Sequence, residues 1–294
     1  MPVAQRRLGV HTSIGGGIHL SVKRANVLGC NTVQIFSHNP RQWMVGIIPK
    51  DSVSLFKYLR KFHDIDPVFI HTSYLINLAS SEDRIREKSK ELLIRELNLA
   101  DLLGGDYVVL HPGSASGDAE GVARRRAIGA LREVSTVKVW KARVLLENTA
   151  GERGDISCTM KDLHEIIKMT DSPVIGGICL DTCHAFQAGY ELRSVEGLSR
   201  LAEEIKVYIG AELVKLIHLN DSKRDFYSRV DRHEHIGEGA IGKEWLEKLI
   251  NHPLFRNTPM ILETPKKSDE DDIRNLDTVR ELMGTFPSAR SGQQ

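Results

Sequence analysis

Short apolar segments rich in β-branched residues alternate with helical patterns along the whole chain, and this alternation most constrains the fold. Most of the segments are continuous apolar runs, which is typical of parallel strands covered on both faces. The predicted strands span residues 8–13, 32–37, 68–73, 107–112, 143–148, 177–182, 214–220 and 260–264. Eight strands alternating with eight helices favour the α/β class and a (β/α)8 TIM barrel. A doubly wound open sheet is the alternative.

Helical patterns fill the intervals between the predicted strands. They cover about 16–28, 51–63, 82–103, 120–135, 160–170, 195–209, 243–251 and 270–284. The clearest of them, 82–103, has Ser81 as its predicted N-cap and Gly104 as its stop. Because no domain boundary or repeat interrupts the pattern, we predict a single domain over 1–287 and a polar, disordered tail over 288–294.

Most of the predicted strands stop at a histidine or a carboxylate. A strand buried on both faces has no reason to end in such a side chain unless that end faces a site. In a TIM barrel the carboxyl ends of all strands meet at one rim, so residues far apart in sequence converge there. Together with the segment DRHEH, these ends supply His71, His111, Glu147, Asp181, His184, His218, Asp231, His233 and Glu263.

Nine such residues indicate metal chemistry. Imidazoles and carboxylates without thiolates suit zinc, manganese or iron, and they resemble catalytic rather than structural metal sites. The alternative, a set of hydrogen-bonded structural histidines, requires the same coincidence at one strand end after another. We therefore predict a polynuclear metalloenzyme.

Composition limits the partners and the cell compartment that we expect for the protein. With 40 basic and 39 acidic residues the net charge is +1, which by itself argues weakly against nucleic-acid binding. The four cysteines have no paired spacing, as expected of reduced thiols in the cytoplasm. No apolar stretch is long enough to cross a membrane, and the N-terminus lacks the apolar region of a secretion signal. We expect a cytoplasmic protein with no membrane partner.

Seven longer motifs surround the candidate ligands. They are HTSYLINL (71–78), VVLHPGS (108–114), LLENTAG (145–151), LDTCHAFQAGY (180–190), IHLNDSK (217–223), DRHEHIGEGAIG (231–242) and ILETP (261–265). From about residue 8 to residue 286 the chain resembles endonuclease IV, the family of zinc-dependent apurinic/apyrimidinic (AP) endonucleases of base-excision DNA repair.

The resemblance implies a TIM barrel with three zinc ions, one of which manganese could replace. By motif, the first ion would be held by His71, His111 and Glu147. The second would be held by Glu147, Asp181, His218 and Glu263, with Glu147 as a bridge. The third would be held by His184, Asp231 and His233. Glu147, Asp181 and Glu263 are the carboxylates that we expect to be catalytic.

The resemblance also implies an activity. Zinc lowers the pKa of bound water toward about 7, which supplies a nucleophile at neutral pH. The reaction would be hydrolysis of the phosphodiester 5′ to an abasic site, leaving a 3′-hydroxyl and a 5′-deoxyribose phosphate. Removal of blocking groups from 3′ ends would accompany it. The expected partner is double-stranded DNA with abasic sites or blocked 3′ ends, bound by a monomer.

Five residues are predicted to contact DNA: Arg41, Gln42, Tyr74, Lys223 and Arg232. The resemblance places Arg41 and Gln42 in the minor groove at the lesion and Tyr74 in a second inserting loop. The alternatives are a solvated loop for the first two and a core position for Tyr74.

The chain departs from the family pattern at two places. Thr72 stands where we expect an acidic residue, and the loop 151–155 differs from the usual small polar loop.

One competing function is a sugar isomerase resembling xylose isomerase. It would need only Glu147, Asp181, His218 and Glu263, which leaves the other five candidates unexplained. A barrel in which metals only stabilise the fold is the other alternative. We expect His11, at the end of the first strand, to support the site rather than bind metal.

Overall fold

The computed structural model describes residues 6–284, and within them eight parallel strands form one nearly closed sheet. A short antiparallel hairpin lies beside this sheet. The barrel strands are β1 (Leu8–Val10), β2 (Val33–Phe36), β3 (Val68–His71), β4 (Tyr107–Leu110), β5 (Arg143–Glu147), β6 (Ile175–Asp181), β7 (Val214–His218) and β10 (Met260–Leu262), and the hairpin strands are β8 (Asp221–Ser222) and β9 (His233–Glu234).

The strand order confirms the predicted TIM barrel. Neighbours follow the order β1, β10, β7, β6, β5, β4, β3, β2, and all of these pairs are parallel. A parallel bridge between His11 and Gln34 joins the two ends of the sheet. The doubly wound alternative is wrong, because an open sheet would leave β1 and β2 apart at opposite edges.

Helices surround the barrel at the predicted intervals. They are α1 (His19–Val27), α2 (Lys50–Phe62), α3 (Asp83–Leu103), α4 (Glu120–Ser135), α5 (Met160–Thr170), α6 (Thr182–Ala188), α7 (Val195–Glu204), α8 (Lys243–Asn251) and α9 (Asp269–Leu282). Helix α7 continues into a π-helical turn, Ile205–Ile209. No helix in the described part of the chain is long and apolar enough to cross a membrane.

Two local predictions about helices need correction. The N-cap of helix α3 is Glu82, not Ser81. The Ser80 hydroxyl accepts the Glu82 N–H at 3.2 Å, and this bond forms a turn in the chain just before the helix. Its predicted stop is confirmed, since Gly104 adopts the left-handed conformation at φ 71°. Helix α6 was not predicted. It is short and buried nearly all round, so its sequence has no amphipathic period.

The barrel encloses its own apolar layer beneath the rim. Alternate strand residues point inward, and the buried set that they form is Phe69, Val109, Leu145, Cys179, Leu216 and Ile261. The other strand residues pack against the helices in a second, larger cluster. This closed inner layer supports the strand ends from below. The predicted tail, 288–294, lies outside the described residues.

Candidate metal centre

The candidate ligands gather on one rim because the barrel strands are parallel. The last residues of β3, β5, β6 and β7 are His71, Glu147, Asp181 and His218. His111 and Glu263 each follow their strand by one residue. His184 lies in α6, and Asp231 and His233 come from the hairpin segment. The structure brings all nine together in three groups whose ligand atoms lie within 4.8 Å of one another.

The first two groups share Glu147. Its Oε2 lies 2.9 Å from His111 Nε2 and 3.3 Å from His71 Nε2. Its Oε1 lies 2.9 Å from His218 Nδ1, which is also 3.2 Å from Glu263 Oε2. Asp181 completes the second group. Because the two oxygens of Glu147 face different groups, this carboxylate has the geometry of a bridge between two ions.

The third group lies beside the second. His184 Nε2 and His233 Nε2 are 3.2 and 3.3 Å from the same Asp231 oxygen. These two imidazole nitrogens are only 3.5 Å apart. Two imidazole nitrogens and a carboxylate oxygen converge on one point, as the donors to a metal ion do.

Hydrogen bonds orient four of the histidines for metal binding. In each, one ring nitrogen donates to an oxygen, which fixes the orientation of the ring and leaves the other nitrogen facing the group. The acceptors are the backbone oxygens of Thr72 for His71 (2.9 Å), Asn148 for His184 (2.9 Å) and Glu263 for His233 (3.0 Å), and the Gln34 side chain for His218 (2.8 Å). A proton or a metal ion must lie between such a nitrogen and the carboxylate that it faces. The histidine and carboxylate set matches the donors of divalent metal sites, so the residues fit metal ions.

Three carboxylates of the centre have lowered pKa values, which favours their charged form. Burial alone would raise the pKa of Glu147, but the imidazoles of His218 and His111 outweigh it and hold that pKa well below its usual value. The pKa of Asp231 is lowered, against its burial, by the hydrogen bond and charge of His184. The pKa of Glu263 is lowered, against its burial, by His218 and His11. This concentration of negative charge favours divalent cations.

Two buried thiols also lie near the centre. Cys179 is close to Glu147 and His218, and Cys183 is close to Asp181 and His233. Burial raises the pKa of both thiols, which keeps them protonated. Because a thiolate is the form that binds metal, the histidine and carboxylate groups are the better sites.

Three buried amides support the ligands and were missed from the sequence. Asn148 bonds the backbone of Asp181 twice, at 2.8 and 3.0 Å. Asn220 donates to the Asp181 carboxylate at 2.7 Å, and Gln34 donates to Glu263 at 2.6 Å. Asn148 directly follows a ligand in sequence, and that adjacency was the available signal. His11 also contacts Glu263, at 3.1 Å, in line with a supporting place.

The predicted DNA-contacting residues lie on the same rim and are exposed. Arg41 and Gln42 are on the loop after β2. Tyr74 is 67% exposed, so the core alternative for it is wrong. Lys223 and Arg232 flank the β8–β9 hairpin and are exposed as well. A cavity of about 330 Å³ opens at this rim, and candidate ligands line it together with Phe36 and Tyr74.

The two departures from the family pattern leave the ligands in place. Thr72 is buried, and its backbone oxygen still accepts from His71. The loop 151–155 contacts the third group, because Glu152 Oε1 accepts the Asp231 N–H at 3.1 Å.

Comparisons with known proteins agree with this geometry. A family model described as a xylose isomerase-like TIM barrel matches residues 22–285. Proteins named probable endonuclease 4 from Halothermothrix orenii and Aquifex aeolicus are 42% and 40% identical to this chain, each over 93% of it, and the matches cover 99% and 96% of those proteins. The crystal structure of endonuclease IV from Thermus thermophilus is similar at a TM-score of 0.83 and 35% identity, covering 95% of this chain and 99% of that one. A D-tagatose 3-epimerase-like protein, at a TM-score of 0.72 and 22% identity over 95% of this chain and 97% of that one, shares the fold alone.

Proposed function

Since this chain belongs to the endonuclease IV family, we propose that it is an AP endonuclease. It would hydrolyse the phosphodiester 5′ to an abasic site in duplex DNA and leave a 3′-hydroxyl and a 5′-deoxyribose phosphate. The observation that carries this proposal is the rim itself, where nine ligand side chains form three groups joined by the buried Glu147. The same centre would remove blocking groups from 3′ ends. The monomeric state and the cytoplasmic location stay predictions.

The three groups suit three zinc ions. When bound, zinc would supply a nucleophile at neutral pH by lowering the pKa of coordinated water toward about 7, and it would stabilise charge on the phosphate. Glu147 would hold the first two ions together, and Asp231 with its two histidines would hold the third. The hydrogen bonds behind the ligands support this proposal, because they fix the imidazole rings with one nitrogen of each facing the position of the ion.

The exposed side chains around the cavity would bind the DNA. Arg41 and Gln42 would enter the minor groove, and Tyr74 would insert beside them, which costs least where a base is missing. Lys223 and Arg232 would contact phosphates on the other side of the cavity. Lys266 is less available for this purpose because it is paired with Asp272 and, at 3.0 Å, with Asp269.

A duplex that carries one tetrahydrofuran abasic analogue tests the proposal. This analogue cannot undergo β-elimination, so a nick must come from hydrolysis. We expect a nick 5′ to the analogue with an extendable 3′-hydroxyl. Glu263→Gln should lower the rate by at least about 100-fold, because it alters a ligand. The exposed Glu244→Gln is the matched control and should cut like wild type.

The competing function is a sugar isomerase that uses Glu147, Asp181, His218 and Glu263, which do form one group. The five other ligand candidates have no place in that reaction. Absence of a nick with metal-replete wild-type protein would contradict the AP endonuclease proposal, and ketose substrates would then be tested.

A further inference from the structure

Helix α3 carries a buried carboxyl group, Glu96, that contacts both loops predicted to insert into DNA. The side chain is fully buried. We use the name recognition loops for residues 37–45, which follow β2 and carry Arg41 and Gln42, and residues 72–78, which follow β3 and carry Tyr74. Neither recognition loop contains regular secondary structure, so their shape depends on contacts from outside.

One oxygen of Glu96 meets both recognition loops. Its Oε1 accepts the backbone N–H of Ser73 at 2.9 Å. His38 Nδ1, from the other loop, lies 3.5 Å from the same oxygen. The far nitrogen of His38 donates to the backbone oxygen of Gln42 at 3.2 Å, so His38 links Glu96 to the tip that carries the inserting side chains.

Two further contacts connect the same parts. The Ser73 hydroxyl donates to the backbone oxygen of Pro40 at 2.6 Å, which ties one recognition loop to the other. Lys88, also on α3, places its ammonium 5.5 Å from the centre of the Trp43 ring. Helix α3 therefore contacts both loops.

Stability alone does not account for Glu96. Its second oxygen, Oε2, is buried without a hydrogen-bond partner in the described structure, which is unfavourable for folding. Burial raises the pKa of Glu96 to about 8 and lowers the pKa of His38, so burial disfavours the charged forms of both groups. An apolar side chain of similar size would remove the unpaired oxygen but would leave the Ser73 N–H without an acceptor, so what the carboxyl group provides is its contact with the loops.

We propose that Glu96 is a positioning residue that holds the two recognition loops in the arrangement that grips abasic duplex DNA. It acts through Ser73 and His38 and touches neither DNA nor metal. This inference rests on the proposed function, because it assumes that the loops bind DNA.

The test compares Glu96→Met with Glu96→Gln. Methionine cannot accept the Ser73 N–H well, whereas glutamine preserves an acceptor and resembles the neutral acid. We expect Glu96→Met to weaken binding of the tetrahydrofuran duplex by about tenfold and Glu96→Gln to bind within about twofold of wild type. Glu91→Met, exposed on the same helix, is the matched control.

A small substrate separates positioning from general support of the fold. Bis(4-nitrophenyl) phosphate needs the metal centre but offers nothing for the recognition loops to grip. Its hydrolysis and the bound metal content should be unchanged in Glu96→Met. Hydrogen exchange of the free protein should quicken in 37–45 and 72–78 together, and not elsewhere. If Glu96→Met does not fold, His38→Phe removes the contact between Glu96 and the loop 37–45. It should then give the same selective loss of DNA binding.

Three results would overturn the inference. The first is Glu96→Met binding within twofold of wild type with unchanged exchange in both loops. The second is a loss that extends to the small substrate and the metal content, since Glu96 would then support the whole rim. The third is Glu96→Gln losing binding as Glu96→Met does, which would exclude rescue by a neutral acceptor. If wild-type protein fails to nick the duplex, the proposed function fails, and exchange of the loops alone decides whether Glu96 holds them.

Discussion

At the scale of single residues, Glu147 is the side chain on which the metal centre depends. It is fully buried, and each of its two oxygens faces a different group of ligands. Asp231 belongs to one group only and is half exposed. Loss of the Glu147 charge should therefore weaken two ion sites, whereas loss of the Asp231 charge should weaken one.

Metal analysis distinguishes these two cases. For the proposed centre of three zinc ions, we expect Glu147→Gln to retain about two fewer ions than wild type after gel filtration, and Asp231→Asn about one fewer, because each site needs its full set of ligands. Glu244→Gln serves as the control and should keep the wild-type content. Equal metal content in Glu147→Gln and Asp231→Asn would contradict the bridge.

At the scale of elements, the segments that follow β6 and β7 place the third group of ligands. Asp181 ends β6 and also caps α6, accepting the His184 N–H at 2.7 Å, so one residue sets the position of a ligand one turn later. After β7, the Asp221 carboxylate accepts the backbone N–H of Ser222 and, from the loop 235–242 that follows His233, those of Gly237, Gly239 and Ile241. This loop passes so close to Asp221 that a Cβ at Gly239 would lie 2.6 Å from its Oδ1.

Removal of the Asp221 carboxylate tests this arrangement. Asp221→Ala leaves several backbone donors without a partner, and we expect it to lower the free energy of unfolding by about 3 kcal/mol. Urea unfolding of the zinc-loaded protein measures the effect. Asp225→Ala, whose side chain is 83% exposed, should change the same quantity by less than about 1 kcal/mol. A similar small change in both variants would show that water replaces the carboxylate.

At the scale of the whole molecule, the barrel interior supports the rim from below. Phe69 is the largest member of the inner layer and is fully buried, with Tyr107 stacked 5.7 Å away. Its neighbours come from strands all around the sheet. If the Phe69 ring were removed, no flexible loop could move in to fill the cavity.

Phe69→Ala should therefore lower the free energy of unfolding by roughly 3–5 kcal/mol. Chemical denaturation followed by tryptophan fluorescence checks it. Phe62→Ala removes the same ring from the surface, where it is 69% exposed, and should cost less than about 1 kcal/mol. A small effect at Phe69 would mean that the inner layer repacks and does not hold the strand ends rigidly.

The local sequence pattern predicted much of the fold and of the candidate site. A strand buried on both faces reads as a continuous apolar run, so the strand positions and the polar residue that ends each run were visible without a structure. The alternation of strands and helices then implied a barrel, and a barrel implied that His71 and Glu263, far apart in sequence, share one rim. Helix α6 was missed because burial on all sides erases the periodic signal.

The sequence by itself determined the barrel, the candidate ligand types and the family, because each of these depends on short contiguous segments. Only the tertiary structure decided which nitrogen of each histidine faces the carboxylates, which amides hold Asp181 and Glu263, and that Glu96 reaches both recognition loops. These features depend on hydrogen bonds between side chains and distant backbone atoms. Such bonds produce no periodic pattern in the sequence. Their donors and acceptors come within about 3 Å of each other only when the barrel closes.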